Sequence, residues 1–357
     1  MKEKKWMVIG LMSGTSLDGL DIIYTCISYK HQIYNFEIYD CETIKYPKSW
    51  EFKLRSAFCE SEDIVSKLNN EYGLYLGDVV NKFLKEHKIN KVDFIASHGH
   101  TIFHKPNEGY TLQIGDGQML SNKTGLKVIC DFRTQDVEYG GQGAPLVPIG
   151  DLFLFSEFDY CLNLGGFANI SFEKKGKRIA FDICPVNIVL NYYSKLIGYE
   201  FDENGFLAEK GNINYSLLKD LNELPFYFSP IPKSLGFEFV KEFIFPLIDS
   251  YSLKVEDVLR TFVAHISTQL TNCLENRNQS KLLITGGGAF NSFLIDEIKN
   301  NTQIEIVIPE NNIINYKEAL IFSLLGVLRD ENKVNCLSSV TGAKKDHCSG
   351  KIFLKQI

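Results

Sequence analysis

The chain has no apolar run approaching the ~20 residues that a membrane-spanning helix needs, and no low-complexity or Pro/Ser-rich stretch. It has no C-x-x-C pair either: its 9 cysteines are scattered from Cys26 to Cys348. An odd, dispersed set on a chain of this size argues against a disulfide framework and for thiols in a reducing compartment. An excess of positive charge is also missing. Lys and Arg number 38 against 44 Asp and Glu, a formal charge of −6, which disfavours nucleic acid or an anionic membrane as partner. The opening Met1–Gly10 has a basic tip and an apolar run, but the run is too short for a secretory core. Asp18 and Asp21 follow where a small-residue cleavage site would stand. A cytoplasmic location is expected. There is no Gly-Lys-Ser/Thr P-loop, no dinucleotide fingerprint and no basic helix-turn-helix segment.

What is present is the composition of a folded enzyme, 45% hydrophobic and 23% charged over 357 residues, enough for two cores. The 13% of aromatic residues is expected to fill core and interface. Patterning predicts strands at 6–11, 20–29 and 33–44 joined by tight turns, a helix over 64–88, and a buried strand at 92–97 that ends in a His/Gly loop. The strand–glycine turn–strand unit recurs after residue 150, with strands at 159–164, 170–172 and 178–182 and a glycine turn at 165–169. Helices are expected near 187–196, 237–250, 255–275 and 292–300, and a strand at 282–285. A repeat spacing of about 150 residues reads as two related α/β lobes, not a solenoid. The lobe boundaries are placed at 1–132, joined by the C-terminal segment 333–357, and 133–332. Ligands are expected in a cleft between the lobes.

Three glycine-rich turns carry the chemical signal. Gly14-Thr15-Ser16-Leu17-Asp18-Gly19-Leu20-Asp21 lies between two strands, where bare backbone and hydroxyls suit an oxyanion. Asn163-Leu164-Gly165-Gly166-Phe167-Ala168-Asn169 is its counterpart in the second half. Thr285-Gly286-Gly287-Gly288-Ala289-Phe290-Asn291 joins a strand to a helix. Each alone reads as a turn; the ordered trio matches two phosphate hairpins and a nucleoside loop, the arrangement of actin-like ATPases and sugar kinases.

With its flanks, the first loop (Gly10–Asp21) resembles the opening signature of the anhydro-N-acetylmuramic acid kinases. The resemblance continues through Ser97–Thr101, Thr111–Asp116, Asp131-Phe132-Arg133, Gly140–Pro148, Asn163–Asn169, the triple glycine, Lys317–Leu320 and Ser339–Ala343, spanning nearly the whole chain in order. It implies two actin-like, ribonuclease H-like α/β lobes with mixed sheets flanked by helices. It also implies an ATP- and Mg2+-dependent sugar kinase of cell-wall recycling that opens a 1,6-anhydro amino sugar with water and phosphorylates the freed O6. One motif departs. Where the family usually has Asp-Thr-Gly-Pro-Gly-Asn, this chain has Asp182-Ile183-Cys184-Pro185-Val186-Asn187, which reduces the backbone freedom around the acid.

The same resemblance makes Asp182 the general base; read as a strand-end acid, it would instead cap the following helix. Arg133 would hold the sugar's carboxylate or the transferring phosphate, with a salt bridge to Asp131 or Asp136 as the structural alternative. Asp18 and Asp21 are the candidates for Mg2+, held through waters, or else close the hairpin. Glu318, a lone acid in an otherwise apolar helix, would steer substrate or metal. Gly14, Thr15, Ser16, Leu17, Asp18, Gly19, Leu20 and Asp21, with Gly165, Gly166 and Gly286, Gly287, Gly288, are the expected nucleotide contacts. His98, His100 and His104 invite a metal, as in a metal-dependent transferase of the same superfold, but hydrogen bonding to sugar or backbone is the favoured reading. A non-catalytic sugar-binding sensor is the third reading, motivated by Cys184 and Val186. The expected partner is a small anhydro amino sugar, and the sequence leaves open whether the chain pairs as a homodimer.

Overall fold

The computed structural model describes residues 3–14, 17, 19–275 and 279–356. The chain divides into two units, one of residues 1–154 with 316–357 and one of residues 155–315. This division differs from the expected boundaries at 132/133 and 332/333. The helix Val147–Leu154 stays with the first unit because Gly150 lies hard against Ile321, leaving no room for a Cβ.

In the first unit the strands are β1 (Lys4–Ser13), β2 (Leu20–Lys30), β3 (Ile33–Ile44), β4 (Phe94–Lys105), β5 (Tyr110–Ile114), β6 (Val128–Cys130) and β12 (Lys351–Phe353). Among the described residues they form one sheet in the order β12-β6-β4-β1-β2-β3, with β5 paired to β4. β1 to β3 form an antiparallel meander and β4 runs parallel to β1. β1 reads as an almost continuous apolar run because it is central and covered on both faces. At Gly10 the helix Asn311–Asp330 comes so near that a Cβ would sit 2.5 Å from the Ala319 carbonyl oxygen. The helix Glu62–Glu86 buries Leu68, Tyr72, Leu76, Val80 and Phe83 at helical spacing against the sheet core.

β4 does not end at residue 97 as the pattern suggests. It bends at Gly99 (φ 75), where its register with β1 shifts so that Ser13 pairs with His100, and it pairs with β5 from His100 onward. A Cβ at Gly99 would stand 2.5 Å from the Ile114 carbonyl oxygen, so only glycine permits the bend.

The second unit repeats the plan with β7 (Tyr160–Leu164), β8 (Phe167–Lys174), β9 (Lys177–Pro185), β10 (Lys281–Thr285) and β11 (Glu305–Val307), in the order β11-β10-β7-β8-β9. Again three antiparallel strands are followed by one parallel to the first, β10 beside β7. The shared order, β4-β1-β2-β3 in one unit and β10-β7-β8-β9 in the other, is the duplicated α/β plan expected from the sequence. The helices Asn187–Leu196 and Val255–Asn272 cover this sheet, and Val189, Leu190, Phe262 and Ile266 lie in its core. The helix expected over 237–250 is broken into Phe237–Phe239, a π turn Val240–Ile244, and Phe245–Asp249. Pro246 has no N–H to continue the α pattern, and the ladder widens just before it.

Candidate active site

In the first unit, β1 delivers the chain into the first glycine turn, of which Thr15, Ser16 and Asp18 lie outside the described residues. Leu17 takes φ 62, and its N–H bonds the Gly14 carbonyl at 3.3 Å. Gly19 is dictated by packing: a Cβ there would meet the Ile44 carbonyl oxygen and Thr43 Cγ2, each at 2.8 Å. Asp21 opens β2 opposite Thr43, whose hydroxyl donates to Asp21 Oδ1 at 2.6 Å. Behind the turn, Ser13 Oγ bonds Tyr46 Oη at 2.7 Å and His100 Nδ1 at 2.8 Å, and Tyr46 bonds Tyr72 at 2.6 Å. Burial pulls the His100 pKa down to about 4, so the ring is neutral near pH 7.

Arg133 leads into the short helix Thr134–Glu138. Its Nε donates to His98 Nε2 at 2.9 Å and its Nη1 to the Gly143 carbonyl at 2.8 Å. Because His98 Nε2 accepts, the proton sits on Nδ1, which donates to the Gly99 carbonyl at 2.9 Å. His98 is thereby held as a neutral, oriented acceptor, its pKa pushed well below the ordinary value by burial and then by the Arg133 charge. Neither Arg133 bond uses a carboxylate. Asp131 pairs instead with Lys351 at 2.7 Å, and Asp136 accepts from the Gly143 N–H and the Thr341 hydroxyl, each at 2.7 Å. The salt-bridge alternative for Arg133 is therefore not what forms. Glu318, on the helix Asn311–Asp330, is exposed to solvent, yet its pKa is raised by desolvation and, less, by Asp21, while Arg133 pulls it back. Asp21, Arg133 and Glu318 thus lie within one electrostatic neighbourhood.

In the second unit Asp182 stands on β9 beside a bulge: Asn169 pairs with Asp182 and Ala168 with Cys184, leaving Ile183 unmatched. Bulges of this kind re-aim a neighbouring side chain. Asp182 Oδ2 accepts the Leu235 N–H at 2.9 Å, and its own N–H bonds the Lys233 carbonyl at 2.9 Å. It does not cap the next helix, whose first turn has no side-chain cap. Desolvation raises its pKa, against the Leu235 bond that lowers it. Cys184 and Val186, which replace the family's glycines, are fully buried in the core of this unit, and neither takes a positive φ. The departure is therefore absorbed by packing below the loop.

The glycine turns of this unit are knitted to one helix start. Val186, Asn187 and Ile188 donate their N–H groups to the Gly165 and Gly166 carbonyls at 2.8 to 3.3 Å, and Asn187 Nδ2 donates to the Leu164 carbonyl at 3.2 Å. The triple glycine splits by role. Gly286 (φ 81) and Gly288 lie against the end of β7, where a Cβ would stand 2.6 Å from Asn163 Oδ1 and from Leu164 Cβ respectively. At Gly287 the nearest atom is Asn187 Nδ2, 3.7 Å away, and at Gly166 it is Ile188 Cβ at 3.8 Å. These two positions offer bare backbone to an approaching group. Gly287→Val is expected to weaken ATP binding by calorimetry while the melting temperature changes little; Gly286→Val should lower the melting temperature itself. Equal ATP affinity in a folded Gly287→Val protein would remove this loop from the nucleotide site. The parallel expectation for Gly14→Val is weaker ATP binding in a protein of near-normal stability.

All three candidate histidines are hydrogen-bonded to protein groups, His98 and His100 as described above. His104 Nδ1 is bonded to Thr111 Oγ1 at 3.1 Å, and among the described residues none of the three belongs to a group of three or more potential ligands. What sequence reasoning missed is the support: the Ser13–Tyr46–Tyr72–His100 chain, the His98 hold on Arg133, and a buried ion pair between Lys317 and Asp151 at 2.7 Å. Only the last had a signal, a lysine inside an apolar helical pattern. Among the described residues no helix is long and apolar enough to cross a membrane.

A sequence profile described as anhydro-N-acetylmuramic acid kinase matches residues 6–355. The chain is 35% identical to the anhydro-N-acetylmuramic acid kinase of Haemophilus influenzae, covering 97% of each protein. It is 34% identical to that of Clostridioides difficile (97% of this chain, 98% of the relative) and 32% to that of Sulfurovum (97% and 98%).

Proposed function

The chain belongs to the anhydro-N-acetylmuramic acid kinase family, and on that premise we propose how its residues divide the reaction. The enzyme is an ATP-dependent sugar kinase: 1,6-anhydro-N-acetylmuramic acid, water and ATP give N-acetylmuramic acid 6-phosphate and ADP. Water attacks C1, the C1–O6 bond breaks, and O6 takes the γ-phosphoryl group. Asp182 accepts the proton of the attacking water. The observation that carries this role is a carboxylate set beside a strand bulge, held at one oxygen by Leu235 and made more basic than an exposed aspartate by desolvation.

Arg133, aimed by His98 and Gly143, presents its remaining N–H groups to the sugar's carboxylate or to the phosphoryl oxygens. Backbone at Gly14–Asp21, Gly165–Gly166 and Gly286–Gly288 receives the nucleotide, and the bare faces at Gly166 and Gly287 favour this. The oxygen donors Asp21 and Asp18 suit Mg2+, which when bound supplies charge neutralisation to the phosphates. Glu318 steers the substrate or that metal.

The assignment is tested in labelled water. Oxygen from the solvent should appear on C1 of the product under rapid quench, with the bridging oxygen of the phosphate ester unlabelled. Label in the bridge would mean that water attacks C6 and breaks the C6–O bond instead, while free anhydro-bond cleavage without nucleotide would replace the coupled reaction with a hydrolase followed by a kinase. The pH profile gives a second reading. A base must be deprotonated, so kcat/KM should fall as pH drops through a value above the ordinary aspartate range, because burial raises Asp182. Residual activity of Asp182→Asn should lose that limb; an unchanged limb would assign it to another group.

A further inference from the structure

One cluster in the first unit has no part in this chemistry. Cys336 and His347 face each other across an antiparallel bridge, with N–H···O bonds of 3.1 and 3.2 Å in both directions. Asp136, on the helix Thr134–Glu138, completes a set in which one ligand atom from each residue lies within 4.8 Å of the others. All three are buried, Asp136 fully and His347 to within 5%.

The histidine is the telling member. Its Nδ1 bonds the Lys345 carbonyl at 3.2 Å, which requires the proton there and, in the neutral ring, makes Nε2 the acceptor. That nitrogen is buried without a hydrogen-bond partner. It lies 3.6 Å from Asp136 Oδ1, too far for a hydrogen bond. It matches the ligand–ligand edge of a tetrahedron around zinc, about 3.4 Å for bonds near 2.0–2.1 Å. The charges also sum correctly. Asp136 is already bonded to the Gly143 N–H and the Thr341 hydroxyl, but no Lys or Arg forms an ion pair with it among the described residues. A divalent ion would balance the carboxylate and a thiolate together.

We propose that Asp136, Cys336 and His347 form a structural site for one thiophilic divalent ion of the zinc class. Binding deprotonates Cys336, the proton passes to solvent, and an S–metal bond forms alongside the imidazole and carboxylate bonds. The ion would pin the C-terminal segment 336–347 to the helix that follows Arg133, and so steady the loop to Gly143 that holds the guanidinium.

The full-length protein, produced without a metal-binding tag in zinc-supplemented medium, should carry about one zinc per chain by elemental analysis. Cobalt replacement should give a thiolate-to-cobalt charge-transfer band. Both signals should be lost in Cys336→Ser and His347→Gln, and kept in Cys59→Ser, which alters an exposed cysteine. Should the buried variants fail to fold, zinc-edge absorption on the parent protein decides alone, through one sulfur at about 2.3 Å. A folded parent chain with below ~0.1 equivalent of zinc and no cobalt band overturns the site. So does a zinc shell without sulfur, or retention of metal by both variants.

Discussion

Asp182→Asn is expected to fold and bind ATP as the parent protein does, and to turn over the anhydro sugar at least about 10³-fold more slowly. The size corresponds to about 4 kcal/mol of lost transition-state stabilisation, within what a positioned base supplies. The substitution is informative because of what it preserves. In the structure the carboxylate accepts the Leu235 N–H at 2.9 Å; in the proposed reaction its other oxygen would act as the base. An asparagine carbonyl can still accept that N–H, so the 233–235 segment stays anchored while the basicity disappears. Asp182→Ala would remove both and mix a loop defect with a chemical one. Steady-state kinetics with ATP titration separates the cases: kcat should collapse while the ATP affinity stays within about threefold. Near-normal turnover in Asp182→Asn would sink the base assignment. A parallel loss of ATP affinity would point to the anchored loop.

The fold was legible where side-chain period and glycine placement agree. The helix Asn187–Leu196 and the paired meanders follow directly from the alternation of apolar runs with glycine turns. β4 runs past residue 97 because His98-Gly99-His100, which looks like a loop, is a bend at Gly99 where the strand shifts register on β1 and gains β5 without ending. The site was legible as residue types in order, yet not as a set of supports. Nothing in the sequence says that His98 will hold Arg133, since the two lie 35 residues apart and meet only through the sheet. Cys184 and Val186 looked like a threat to the Asp182 loop. Sequence alone cannot say that their side chains turn inward to a core with room for them. The Asp136–Cys336–His347 cluster was invisible for the same reason, being assembled from a short helix and a bridge near the C-terminus.

Lys317→Met and Asp151→Asn should each destabilise the protein by about 3–5 kcal/mol, the cost of removing one side of a buried ion pair. Lys317 is 6% and Asp151 3% exposed, so water cannot replace what is lost. Their 2.7 Å pair joins the start of the first unit's share of the helix Asn311–Asp330 to the helix Val147–Leu154. For a protein of this size the fall in melting temperature is on the order of 10 °C. The informative variant is the double one. Lys317→Met with Asp151→Leu removes both charges and keeps most of the volume, so it should recover more than half of the loss, because desolvation of the pair consumes most of its attraction. Additive losses in the cycle of Lys317→Met, the single Asp151→Leu and this double variant would mean that each residue acts through separate contacts. A shift below about 2 °C in Asp151→Asn would mean that the pair is not buried in solution as it is in the structure. Activity supplies the second axis. Glu318 is the next residue along the helix and points to solvent where Lys317 points inward, so the double variant should keep Glu318 in register and retain KM for ATP. The ion pair would then act as a fastening for the helix, separable from the chemistry carried by its neighbour.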